Sequence, residues 1–101
     1  MKTFGETIRT LRENNKLPLR KVAALLDIDQ SFLSKIERNE RKATKEQVIQ
    51  LAIIFKTDEK NLIIQFLSDK VTYEVVNEEF GFEALKVAEQ KVKYLINKKN
   101  G

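Results

Sequence analysis

Cysteine, histidine and tryptophan are missing from the 101 residues, proline occurs once and glycine three times. Without cysteine or histidine there can be no Cys/His zinc site, no disulfide framework, no cysteine nucleophile and no histidine triad. No glycine-rich phosphate loop and no nucleophile–base constellation is present either, so neither an enzyme nor a cofactor or metal site is expected. Long apolar runs are also absent: nothing approaches the ~20 residues of a membrane span. The opening MKTFGETIRTLREN has no apolar h-region and carries acids, so a signal peptide is not expected and a cytoplasmic location is. Few breakers among many helix formers predict an all-α fold.

A hydrophobic content of 42% is that of a globular chain. The length fits one domain with a short appendage. Charge is unevenly placed. Residues 1–66 carry 13 Lys/Arg against 9 Asp/Glu, and residues 67–101 carry 6 of each, so the net charge of +4 sits wholly in the first part. A uniformly basic surface would not divide this way, and the division favours a polyanion partner for the first two-thirds.

Apolar periodicity and capping residues lay out the helices. Thr3-Phe4-Gly5-Glu6 fits a capping box and opens helix 1, whose stripe is Phe4, Ile8 and Leu11; Asn14-Asn15-Lys16 ends it. Pro18 stands at the start of helix 2. Thr44-Lys45-Glu46-Gln47 is a second capping box, opening helix 4, in which Val48, Ile49, Leu51, Ala52, Ile53, Ile54 and Phe55 exceed one face. Asp58 is expected to cap helix 5, which carries Leu62, Ile63, Ile64, Phe66 and Leu67 and, through Val71 and Val75, is expected to run to about Asn77. A last helix is expected from Asn77-Glu78-Glu79, with its acids in the first turn, followed by the stripe Phe80 or Phe82, Leu85, Ala88, Val92, Leu95 and Ile96. Gly81 is expected to weaken that helix by about 1 kcal/mol relative to alanine, and residues 97–101 are expected to fray.

The most informative stretch is Leu17–Lys42, LPLRKVAALLDIDQSFLSKIERNERK. It reads as two short amphipathic helices and a tight turn. The first, over Leu19–Leu26, is expected to hide Val22, Ala23, Leu25 and Leu26. The second, over Gln30–Asn39, is expected to hide Leu33 and Ile36. Asp27 is placed at a positive-φ turn position and Asn39 at another, both being residues that tolerate the left-handed region. Ile28 plugs the angle between the helices and Asp29 is expected to cap the second. Gln30, Ser31, Ser34, Lys35 and Arg38 then share one face. Such a face suits base edges in a DNA major groove, and the basic loop Glu40-Arg41-Lys42 follows it.

Residues 3–67 resemble the phage repressor and Cro-like, or XRE-type, helix-turn-helix family. The resemblance rests on Leu11-Arg12, Leu17, Val22-Ala23, Leu26, Ile28, the run Gln30-Ser31-Phe32-Leu33-Ser34-Lys35-Ile36-Glu37, Arg41 and Leu51-Ala52. It implies a five-helix repressor-like domain over 1–67, with 68–101 as a C-terminal extension of one or two helices. It also implies that helix 3 enters the major groove and that dimers read two half-sites. By position, Gln30, Ser31, Ser34 and Lys35 would meet base edges. Arg20, Lys21, Phe32, Arg38, Arg41 and Lys42 would lie against the DNA backbone. Arg12 and Glu37 match an internal ion pair of the family and read as structural. Asp27 and Asn39 stand where the family has glycine.

The function expected is a sequence-specific transcriptional regulator, a repressor or autoregulator, binding double-stranded palindromic DNA as a homodimer. One helix-turn-helix gives a small interface, which two-fold pairing doubles. Ile54, Leu67, Val71, Val75, Phe80, Phe82, Leu85, Val92 and Leu95 are the expected dimer residues. The alternative is an antitoxin or a restriction–modification controller, in which residues 67–101 dock a protein partner.

Overall fold

The computed structural model describes residues 2–101. Six α-helices, and no strand, account for the regular structure of the described residues: α1 Phe4–Asn14, α2 Leu19–Leu25, α3 Gln30–Glu37, α4 Lys45–Ile54, α5 Glu59–Val75 and α6 Gly81–Asn100. The chain divides within α5, after Asp69, into two compact units.

In the first unit the starts of α1, α2 and α4 have local reasons. Thr3 Oγ1 accepts from the Glu6 N–H at 3.2 Å, while Glu6 Oε1 accepts from the Thr3 N–H at 3.2 Å, completing the capping box that opens α1. Thr44 and Gln47 form the corresponding reciprocal pair at α4, at 2.9 and 3.1 Å. Pro18 precedes α2, where its missing N–H removes nothing the helix would use. Asp29 occupies the cap position of α3 without a side-chain capping bond, a departure from expectation; its carbonyl accepts from Phe32 and Leu33 at 3.0 and 3.1 Å.

The first four helices stop in the same way. Lys16, Asp27, Asn39 and Lys56 have φ of 55°, 55°, 63° and 53°, and each stands one residue past a helix C-cap. At each stop the next N–H reaches back five residues: Leu17 to Arg12, Ile28 to Ala23, Glu40 to Lys35 and Thr57 to Ala52, at 2.8–3.1 Å. Paired with the shorter bonds from Lys16, Asp27, Asn39 and Lys56 to the carbonyls three residues earlier, this is the Schellman arrangement, which satisfies carbonyls the helix itself leaves open. None of the four left-handed residues is glycine. The sequence pointed to Asp27 and Asn39; the two lysines gave no such signal.

The core takes Phe4 and Ile8 from α1, Val22, Ala23 and Leu26 from α2 and its cap, Leu33 and Ile36 from α3, Val48, Leu51, Ala52 and Phe55 from α4 and its cap, and Leu62 and Phe66 from α5. Each fully buried aliphatic side chain contributes about 1.5–3 kcal/mol over leaving it in water. The Phe4 and Phe66 rings meet edge to face, 5.5 Å apart. Leu25, expected inside, is 55% exposed. At ~100° per residue it lies roughly 110° from the centre of the Val22–Ala23–Leu26 set, and seven-residue α2 has only one buried stripe.

In the second unit the expected boundaries shift. α5 ends at Val75 rather than Asn77, and α6 begins at Gly81 rather than at Asn77. Between them Glu78 N–H bonds to Val75 O and Gly81 N–H to Glu78 O, at 3.0 and 3.1 Å, closing a turn that holds Asn77, Glu78 and Glu79. The acid of the first helical turn is therefore Glu83. Gly81 is not a weak mid-helix residue. It is buried, and a Cβ there would lie 2.0 Å from the Val75 carbonyl oxygen, so only glycine lets the turn close. Helix continues to Asn100, through the residues expected to fray.

Candidate nucleic-acid interface

α3 packs against both α1 and α2. Leu33 and Ile36 anchor it, at 0% and 2% exposure, and Glu37 is buried beside them. Fixing those three positions turns the opposite side outward. Gln30 and Ser31 are exposed, Ser34 and Lys35 half-buried, and Arg38 exposed past the helix end. The four residues assigned to base reading thus share the solvent side of one rigid helix.

Two anchors hold α3 to α1. Arg12 Nε donates to Glu37 Oε2 at 2.8 Å and Nη2 to Oε1 at 3.2 Å, while Nη1 donates to the Leu17 carbonyl at 3.1 Å. The pair is largely buried, and the Glu37 hydrogen bonds raise the Arg12 pKa still further above its ordinary value. This bidentate fork ties the end of α1 to the end of α3. The second anchor is Gly5. A Cβ on it would stand 2.5 Å from Ile36 O and 2.6 Å from Glu37 O, so α1 crosses the end of α3 at backbone contact. Asn39 Nδ2 donates to Thr3 Oγ1 at 2.9 Å across the same crossing. Phe4 N–H donates to Asp69 Oδ2 at 2.8 Å, adding α5 to the joint. The contacts through Gly5, Asn39 and Asp69 were invisible in the sequence, because they join residues 31 to 65 positions apart without a motif.

The basic residues assigned to the backbone differ in their surroundings. Arg20, Lys21, Arg41 and Lys42 are exposed. Arg38 pairs with Glu40 on the surface at 3.3 Å, a contact the sequence reading did not draw. Phe32 is half-buried and packs against the core, with a shallow depression on either side. One is lined by Ala24, Asp27, Ile28, Asp29 and Gln47, and the other by Asn39, Glu40, Arg41 and Lys42.

Of the residues assigned to dimerisation, Ile54 is half-buried and packed against the core, whereas its neighbour Ile53 is 71% exposed. Leu67, Val71, Phe80, Phe82, Leu85, Val92 and Leu95 are all exposed, and Val75 is half-buried.

A short helix seated across two others, joined to the second of them by a tight left-handed turn and showing a polar face beside basic residues, defines the helix-turn-helix class of DNA-binding proteins. The chain belongs to the XRE-type helix-turn-helix family, whose sequence profile, described as helix-turn-helix, matches residues 8–62. It is accordingly a DNA-binding transcriptional regulator. No curated protein matches it in sequence. Two crystal structures of the clp gene regulator ClgR from Corynebacterium glutamicum share the fold. One, at 17% identity and a TM-score of 0.57, covers 95% of this chain and 88% of its own. The other, at 18% identity and a TM-score of 0.55, covers 64% and 84%. No helix among the described residues is long and apolar enough to cross a membrane.

Proposed function

We propose that the protein is a homodimeric repressor or autoregulator that reads a two-fold-symmetric operator with α3. Gln30, Ser31, Ser34 and Lys35 meet base edges. Gln30 has the paired donor and acceptor that fit adenine N6/N7, and Lys35 the donors that fit guanine O6/N7. Arg20, Lys21, Arg38, Arg41 and Lys42 contact phosphates and set the register without reading sequence. Phe32 supports the face from beneath and meets the sugar–phosphate backbone with its open edge. The carrying observation is the split of α3 itself: Leu33, Ile36 and Glu37 are buried, and the hydrogen-bonding residues lie on the other side. Dimerisation falls to residues 67–101, where large apolar side chains stand in water. Selection of bound sites from random duplex DNA tests the reading. A palindromic consensus is expected; an asymmetric single site would overturn the dimer, and no consensus would overturn sequence reading by α3.

A further inference from the structure

α6 is twenty residues long, and every residue from Phe82 to Asn100 is exposed. In proteins most of a helix's stability comes from packing an amphipathic face rather than from intrinsic propensity. The face is present. Phe82, Leu85, Ala88, Val92, Leu95 and Ile96 recur at three- and four-residue steps, and the large ones are 36–67% exposed.

Charge says what covers it. Residues 78–83 hold Glu78, Glu79 and Glu83 and no basic residue. Residues 91–99 hold Lys91, Lys93, Lys98 and Lys99 and no acidic one. The helix dipole accounts for Glu83 and for Lys98 and Lys99, and Lys93 pairs with Glu89 at 3.3 Å within its own helix, but the dipole's reach ends within a turn and leaves the overall basic excess of residues 91–99 unexplained. A parallel partner of the same sequence would set lysines against lysines and acids against acids. A reversed one sets the acidic end of each helix against the basic end of the other and opposes their dipoles.

We infer that α6 pairs with α6 of a second copy of this chain in antiparallel orientation, with Phe82 and Leu85 of each facing Leu95 and Val92 of the other. Ala88, the small residue midway along the stripe, lies at the two-fold axis, where the helices approach most closely. The inference rests on the homodimer reading above and adds its interface and its direction.

The chain has no cysteine, so introduced pairs report cleanly. Leu85→Cys and Val92→Cys variants, each of the full chain, are mixed at equal concentration and oxidised. Both sites are exposed and belong to the second unit. The mixed Leu85→Cys/Val92→Cys disulfide is expected to dominate. Like-with-like disulfides would overturn the orientation while leaving the dimer intact. A dimer that forms neither would place the interface elsewhere and overturn the inference alone. A monomer by sedimentation at micromolar concentration would overturn the dimer reading itself. A second variant needs no introduced thiol. Lys98→Gln with Lys99→Gln should weaken an antiparallel dimer about fivefold at low salt by removing attraction; a tighter dimer would mean that like charges had been relieved, as parallel pairing requires.

Discussion

Arg12 and Glu37 illustrate how a single residue can matter to DNA recognition without touching DNA. Their fork holds the end of α3 against α1, and removing one partner strands the other charge in a largely buried site. Glu37→Ala should cost about 3 kcal/mol, the lower end of the usual range because Arg12 keeps an edge to water. Arg12→Met with Glu37→Leu should recover most of it, since apolar pairs often replace buried ion pairs at little loss. Chemical denaturation of the two variants checks the difference, and equal stability would mean that the pair is not the joint. On the reading face the contrast is one of specificity. Gln30→Ala or Lys35→Ala should cost about 1–3 kcal/mol on the operator and relax one base position. Lys42→Ala should weaken operator and random DNA alike, as competition binding would reveal. Glu6 adds a pH dependence. Hydrogen bonds from the Thr3 hydroxyl and backbone lower its folded pKa below the ordinary carboxylate value. Its contribution is therefore complete above that value and is lost as pH falls through the folded one. Glu6→Gln should lower stability at neutral pH, and the difference from the parent chain should close as pH falls through that window, flattening the acid unfolding curve there.

At the scale of elements, the four Schellman stops offer a sharper test than any helix interior. A left-handed lysine carries steric strain that glycine does not, offset in part by the freedom glycine brings to the unfolded chain. Lys16→Gly and Lys56→Gly should each stabilise by about 0.5–1 kcal/mol, seen as a rise of a few degrees in Tm. Asn39→Gly should gain nothing, because asparagine tolerates the geometry and its side chain also donates to Thr3. The same elements divide what the sequence made legible from what it hid. Both capping boxes, the apolar stripe of α1, and the turns at Asp27 and Asn39 were readable because they depend on side-chain chemistry within three or four residues. Leu25 was misread because a seven-residue helix is too short for periodicity to separate adjacent leucines. The start of α6 was misread because Asn77-Glu78-Glu79 is a good cap by composition, while the boundary is set by how closely Gly81 passes Val75. On the candidate site, the ordering of the α3 face came from spacing alone, but the Arg38–Glu40 pair and the inward lean of Phe32 depend on three-dimensional neighbours.

For the whole molecule the division of charge separates two equilibria that one experiment can pull apart. The excess positive charge lies in residues 1–66, and residues 67–101 are neutral in sum, so DNA binding should be steeply salt-dependent while pairing of the C-terminal helices, chiefly apolar, should not. Arg20, Lys21, Arg38, Arg41 and Lys42 would give a dimer about ten phosphate contacts, or about eight if Glu40 keeps Arg38 engaged. At about 0.9 per contact, the slope of log K against log salt should then lie between roughly −7 and −9 on a full operator. A duplex carrying one half-site should show about half that slope, because only one domain has phosphates to neutralise. Fluorescence titrations over a range of salt concentrations give both values. Equal slopes on the full and half sites would mean that a single domain makes all the contacts, and the second copy would then have no part in recognition. A slope near −2 on the full site would instead leave the dimer standing and remove most of the basic residues from the phosphate backbone.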